Sequence, residues 1–182
     1  MSKRTDFPRV ERDFYPTPPT AVRPLIKHLP HGKTFWEPCA GDGRLAMYIE
    51  NMHPSIKCGF MSDIEPQQHP LGWHIMKSDA MAITATAADL IITNTPWPAK
   101  HGRGEPTLSF IHHFAAMKPT WLLLSSDFAH NGYFSLVSHM CQKIVSVGRV
   151  SWMGNGVGGM ENAAWYLFDA KWDGQTQFYG RK

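Results

Sequence analysis

Cysteine is scarce in this 182-residue chain: Cys39, Cys58 and Cys141 stand far apart and form no CxxC pair. Their spacing argues against a disulfide framework or a zinc ribbon and predicts a reducing, cytoplasmic setting. Charge is also thin. Asp, Glu, Lys and Arg make up 18% of the residues, against about 25% in an average globular protein. With 43% hydrophobic residues, the chain has too much apolar surface to stay disordered. No apolar run approaches the ~18 residues that mark a membrane span. No apolar stretch follows the charges of residues 1–6, so no secretory signal is expected. Repeats and long linkers are missing too, and the length suits one domain over residues 1–182. The expectation is a soluble intracellular domain.

What the chain does carry is a regular exchange of short apolar runs and helical patterns, the signature of an α/β sheet. Thr34-Phe35-Trp36-Glu37 reads as a first strand, followed by Gly41-Asp42-Gly43. A helix then places Leu45, Ile49 and Met52 on one face and stops before Pro54. Further strands are expected over 57–62, 73–76, 90–93 and 121–125. Leu90-Ile91-Ile92-Thr93 has the continuous apolar character of a strand buried on both faces. A helix is predicted over 108–117 and another through Tyr133, Phe134, Val137 and Met140, with a closing pair of strands over 144–152 and 164–168. Four glycines in Gly154-Asn155-Gly156-Val157-Gly158-Gly159 predict a mobile loop over 154–162. Ahead of the first strand, Val22, Leu25, Ile26 and Leu29 fall at helical spacing. Thr17 is placed to cap that helix, with Pro18 its first residue and Pro24 delaying or bending it.

Net charge is +3 and the pI is near 8.8, which permits a nucleic-acid partner without requiring one. Lys100, His101 and Arg103 cluster in one Gly-containing loop. Lys3, Arg4, Arg9 and Arg12 form a basic arm over 1–14, offset by Asp6, Glu11 and Asp13. A solvated surface explains the arm equally well.

Gly41-Asp42-Gly43, after a strand and before a helix, lets backbone approach a ligand at a helix N-terminus. With Ala46 the stretch satisfies GxGxxG/A, and Asp63 falls 20 residues beyond Gly43. A carboxylate there accepts hydrogen bonds from ribose hydroxyls. NAD and S-adenosylmethionine suit these features equally, and an ordinary tight turn would also explain the glycines.

The fourth strand separates the two cofactors. It ends in Asn94-Thr95-Pro96-Trp97-Pro98, at the sheet edge where open α/β folds bind ligands. Asn94-Thr95-Pro96-Trp97 matches three of the four positions of an Asp/Asn/Ser-Pro-Pro-aromatic motif. Here the sequence resembles the amino-methyltransferases of DNA, particularly the adenine-N6 group of the kind carried by bacteriophages. Trp36-Glu37-Pro38-Cys39-Ala40-Gly41-Asp42-Gly43 is similar to that family's glycine motif. Tyr15-Pro16-Thr17-Pro18 is similar to the motif ahead of its first strand, which holds the methionine end of the cofactor. The ordered motifs span residues 15–97, and the sheet pattern carries the likeness to about residue 170.

The resemblance implies a Rossmann-like class I methyltransferase: a seven-stranded, mostly parallel sheet with helices on both faces. It implies S-adenosylmethionine as cofactor, held by Tyr15, Thr17, Glu37, Cys39, Gly41 and Gly43, by Asp63 with Ile64 at the ribose, and by Asp79 with Ala80 at the adenine. Asn94, Thr95, Pro96 and Trp97 would be catalytic, and DNA would lie along Lys100, His101 and Arg103. No metal is expected, because His112 and His113 sit in a helical pattern with no carboxylate at ligand spacing. The motif order is that of the subgroup whose recognition domain follows the catalytic core. Nothing of that size follows here, so the expected target is a short or loosely specified sequence, held mainly by phosphate contacts.

The chemistry explains these residue types. An exocyclic adenine amine is a poor nucleophile, because its lone pair is delocalised into the ring. Two acceptors on its two N–H groups favour a pyramidal nitrogen and free that lone pair. Asn94 supplies one acceptor through its side chain, and residue 95 the other through its carbonyl. Thr95 departs from the family pattern, but Pro96 still pushes it to extended geometry. Trp97 would stack on a base turned out of the duplex. Plainer roles stand beside these. Trp97 serves as core, Asn94 and Asp79 as turn or cap residues, Thr17 as a helix cap, and Ser125, Ser126 and Asp127 as either a cap or a substrate contact. Adenine in RNA presents the same amine, and glutamine in protein presents an amide nitrogen. An inactive methyltransferase-like binding subunit is the rival from outside enzymology, and a nicotinamide oxidoreductase would leave Asn94 to Trp97 without a task.

Overall fold

Short runs of β-branched and aromatic residues build the architecture. In the computed structural model, which describes residues 14–96, 105–152, 159 and 161–181, they form a single sheet. Its strands are β1 (Thr34–Glu37), β2 (Lys57–Asp63), β3 (Met76–Lys77), β4 (Leu90–Thr93), β5 (Thr120–Ser125), β6 (Cys141–Arg149), β7 (Asn162–Phe168) and β8 (Gln177–Tyr179). The spatial order is β3-β2-β1-β4-β5-β7-β6-β8. Strands β1 to β5 pair in parallel, β8 joins β6 in parallel, and β7 alone runs antiparallel to its neighbours β5 and β6. From β1 the chain builds outward to β3, then crosses back to place β4 on the other side of β1. That reversal opens a crevice at the carboxyl ends of β1 and β4.

Both faces of the sheet are covered, so its central strands are apolar on alternate and on successive residues. Phe35, Ile92, Trp121, Leu123 and Trp165 face α1 (Pro19–Ile26) and α2 (Arg44–Met52), against Val22, Leu25, Leu45 and Ile49. Trp36, Ile91, Leu122, Leu124 and Tyr166 face α3 (Glu105–Met117), against Ile111 and Phe114. Pro24 lies inside α1 without ending it. Proline there removes a backbone donor, and the Trp165 indole N–H, 2.8 Å from the Ala21 carbonyl, ties the weakened helix to β7.

Several sequence expectations need correction. The sheet has eight strands where seven were expected. β8 is three residues long, carries Phe178 at 70% exposure, and follows a polar Asp173-Gly174-Gln175-Thr176 stretch, so no apolar run announces it. The expected third strand over 73–76 shrinks to Met76–Lys77. The expected helix through Tyr133 to Met140 is a chain of 3-10 turns: Ser126–His130, Gly132–Leu136 and Ser138–Met140. There the Ser135 hydroxyl donates to Gly132 O and the Ser138 hydroxyl to Ser135 O, local bonds that compete with an α-helical ladder. α1 starts at Pro19 with Pro18 as its N-cap, and no side chain caps it. The basic arm over 1–13, the Lys100–Arg103 cluster and all of the Gly154–Gly159 loop except Gly159 lie outside the described residues.

Candidate active site

β1 delivers its chain into a tight loop at the carboxyl edge. Gly41 and Gly43 hold φ of 54° and 74°, a region that costs other L-residues roughly 1–2 kcal/mol. A Cβ on Gly41 would lie 2.8 Å from Phe14 Cε2, and one on Gly43 would strike His69 and Met61. A side chain at either glycine would collide with protein already packed there. Gly43 is also the N-cap of α2 and offers no side-chain oxygen. Glu37 compensates from the end of β1, where its Oε2 accepts the Ala46 N–H at 3.1 Å. Burial holds the Glu37 carboxyl well above the usual carboxylate range; the Ala46 N–H opposes this, and the charges of Asp42 and Asp63 add to it. Asp42 caps locally, accepting from Arg44 N at 3.2 Å and pairing with Arg44 Nε at 3.0 Å.

β2 and β3 end at the same edge. Asp63 Oδ2 accepts the Gly41 N–H at 2.7 Å and Asp63 Oδ1 accepts Glu65 N–H at 2.8 Å. The carboxylate thus braces the glycine loop, and each oxygen keeps lone-pair capacity for another donor. Ile64 beside it is 58% exposed, an apolar surface facing out from a polar rim. Asp79 is exposed and accepts the Met81 N–H at 2.9 Å, capping a 3-10 turn. Ala80, in that turn, is buried. His113 of α3 fastens the turn through Nε2, which lies 3.2 Å from Ala80 O and 2.8 Å from Ile83 O. Among the described residues no group of three or more His, Cys, Asp or Glu has the arrangement for a metal ion.

At the end of β4, Asn94 meets a residue 77 positions earlier. Its Nδ2 donates to the Thr17 hydroxyl at 3.2 Å. Its Oδ1 is buried and accepts nothing. Thr17 is itself buried, as is Thr95, whose Oγ1 has no partner either. Leaving such an atom unmatched costs about 1–3 kcal/mol, which suits a place that a ligand completes. Pro96 follows as an exposed residue, while Trp97, Lys100, His101 and Arg103 lie outside the described residues. Cys39 sits between the glycine loop and β4, where burial and the Asp63 charge push its thiol up to about 12. It is a neutral wall at physiological pH and no nucleophile.

The carboxyl edge thus gathers Gly41, Gly43, Asp63, Ile64, Asp79 and Asn94 from four parallel strands, with Thr17 brought in from the segment ahead of α1. Two further residues pack on the glycine loop without a regular pattern of their own. Phe14 packs on Gly41, and its position beside Tyr15 was the available signal. His69, buried and stacked 4.7 Å from Trp73, packs on Gly43 from a loop with no regular pattern to betray it.

No family model and no curated protein matches the chain. Solved structures do. A candidate RNA methyltransferase from Pyrococcus horikoshii superposes with TM-score 0.62 at 11% identity, over 92% of this chain and 91% of that one. The methyltransferase subunit of a type I restriction-modification system from Streptococcus thermophilus gives 0.58 at 11% identity over 92% of this chain. This chain spans about half of that subunit, covering 47% of it. A dimethyladenosine transferase from Plasmodium falciparum gives 0.53 at 14% identity, over 85% of this chain and 63% of that one. With an order of β3-β2-β1-β4-β5-β7-β6, a single antiparallel strand β7 and β8 added at the edge, the chain has the mixed α/β fold of the class I methyltransferases.

Proposed function

We propose that the protein transfers a methyl group from S-adenosylmethionine to the exocyclic N6 of adenine in DNA. The observation that carries this reading is Asn94 Oδ1, a buried acceptor with no donor, at the carboxyl end of β4 beside the glycine loop. An amine N–H is the group such an acceptor lacks. When bound, the cofactor supplies an electrophilic methyl group. The chain's own residues do the rest. Asn94 Oδ1 takes one N–H of the amine and the Thr95 carbonyl, aimed by Pro96, takes the other. Trp97 stacks on the base. Gly41 and Gly43 let backbone approach the cofactor, Tyr15 and Thr17 face its methionine end, and Glu37 and Cys39 back the glycine loop. Asp63 and Ile64 receive the ribose, and Asp79 and Ala80 the adenine ring. Lys100, His101 and Arg103 meet phosphates.

Support also comes from the neighbours, which include a restriction-modification methyltransferase subunit and a dimethyladenosine transferase. The test is transfer of radiolabelled methyl to unmethylated double-stranded DNA, single-stranded DNA and RNA, run beside Asn94→Ala. The expected result is label in DNA that falls by about 10²–10³-fold in the variant, the scale of losing one preorganised hydrogen-bonding group at a reaction centre. Label in RNA alone would move the substrate to RNA. Failure to bind the cofactor would overturn the reading altogether.

A further inference from the structure

Thr17 spends its hydroxyl in an unexpected place. A threonine just ahead of a helix ordinarily caps it, yet the N-cap of α1 is Pro18 at φ −78° and ψ 156°, with no side-chain bond. The hydroxyl instead accepts Nδ2 of Asn94 at 3.2 Å. Its neighbours make that placement rigid. Pro16, Pro18 and Pro19 surround Thr17 in sequence. Proline fixes its own φ and restricts the residue before it. Thr17 is buried at 6% exposure, and the helix it precedes is tied to β7 through the Trp165–Ala21 bond.

The orientation of the Asn94 amide decides what the site presents. Rotation about its last torsion is broad and roughly two-fold, and a half-turn exchanges an acceptor for two donors. Donors aimed at a substrate amine would repel it. Engaging Nδ2 on one side leaves Oδ1 on the other, and Oδ1 is the atom that stands unmatched. We infer that Thr17 is a positioning residue that anchors the Asn94 amide through Nδ2 and holds it where its unmatched oxygen meets the substrate amine. The inference rests on the reading of Asn94 given above.

The role predicts a particular kinetic signature. Thr17→Val keeps the shape and removes the hydroxyl, so kcat falls about tenfold, the worth of one hydrogen bond. KM for the cofactor rises by less than kcat falls, since Thr17 also faces its methionine end, and Thr17→Ser restores kcat because it restores the oxygen. In solution NMR, the two Nδ2 protons of Asn94, identified by their loss in Asn94→Ala, exchange slowly with water in the wild type and rapidly in Thr17→Val. An unchanged kcat in a folded Thr17→Val overturns the inference. So does a rise in cofactor KM with kcat intact, which would make Thr17 a cofactor contact only. Rapid Nδ2 exchange in an active wild-type protein overturns this inference and leaves the proposed function standing. A wild type that binds cofactor but methylates no nucleic acid overturns the proposed function, and the positioning role with it.

Discussion

Trp165 on β7 and Asn94 after β4 lie two strand positions apart in the same sheet, and each has a buried polar atom. The Trp165 indole N–H meets the Ala21 carbonyl at 2.8 Å. Asn94 Oδ1 meets nothing. The contrast extends to their neighbours. Around β7, the Tyr166 hydroxyl lies 3.2 Å from the carbonyls of both Ser125 and Ser126, and Thr176 donates to Cys141 O at 2.7 Å. Beside Asn94, the Thr95 hydroxyl is as bare as the amide oxygen. His28 Nε2 is unmatched too, but it belongs to a ring packed on Trp121 and Tyr179, whose burial beside Lys27 and Lys143 lowers its pKa. Around β7 the polar groups of Trp165, Tyr166 and Thr176 find protein partners, although Trp172 Nε1 just beyond it does not; at the switch point Asn94 Oδ1 and Thr95 Oγ1 both lack one. On the proposed function, stability and binding fall to different strands of one sheet.

That division can be broken by mutation. Trp165→Ala removes a fully buried indole and the bond to α1, and the expected loss of stability is about 3–5 kcal/mol, measured by urea unfolding. Asn94→Ala reverses the pattern. It removes an orphaned acceptor together with one hydrogen bond to Thr17, so stability falls by about 1 kcal/mol only, while methyl transfer falls as set out above. Comparable destabilisation by the two variants would show that the switch point is an ordinary piece of core.

A smaller effect sharpens the comparison within the glycines. Gly41 and Gly32 hold similar φ, 54° and 67°, but a Cβ at Gly41 meets Phe14 at 2.8 Å and one at Gly32 meets nothing within 4 Å. Both alanine variants carry the backbone cost of about 1–2 kcal/mol. Only Gly41→Ala should also weaken S-adenosylmethionine in titration calorimetry, by about tenfold or more, since only Gly41 lies in the candidate site. Equal affinities in the two variants would remove the glycine loop from the site.

The sequence made the parallel half of the molecule legible because its signals are local. β1, β4 and the face of α2 come from continuous apolar runs and helical spacing, and the glycine loop from its own tripeptide. Long-range and irregular features were not legible. The Thr17–Asn94 bond joins residues 77 apart, so Thr17 read locally as a cap. Asp79 did behave as its local pattern suggested, capping the turn at Ala80–Ala82. β8 is too short and exposed to leave a hydrophobic trace, and the 3-10 chain over 126–140 shares its apolar spacing with a helix while its serines divert the backbone. Glu37 carried a signal that only packing could interpret: an acid at the end of a buried strand, 1% exposed, next to the start of a helix.

Glu37 also gives the smallest of these effects and the one whose sign is most telling. In the unfolded chain its carboxyl titrates near the ordinary 4.5, and in the fold burial holds it well above that. Between those two values the native state keeps a proton that the unfolded state has lost, so stability declines as pH rises through that interval. The contribution is complete below the unfolded value and is lost toward the folded one. Glu37→Gln has no proton to lose and keeps an oxygen for the Ala46 N–H. Its Tm should match the wild type in mild acid and exceed it at neutral pH, by a margin worth about 1 kcal/mol. Parallel Tm curves for the two proteins across that range would mean that Glu37 is ionised in the fold. Its place beneath the glycine loop would then be that of a helix-capping anion, and the switch point would hold one more fixed charge.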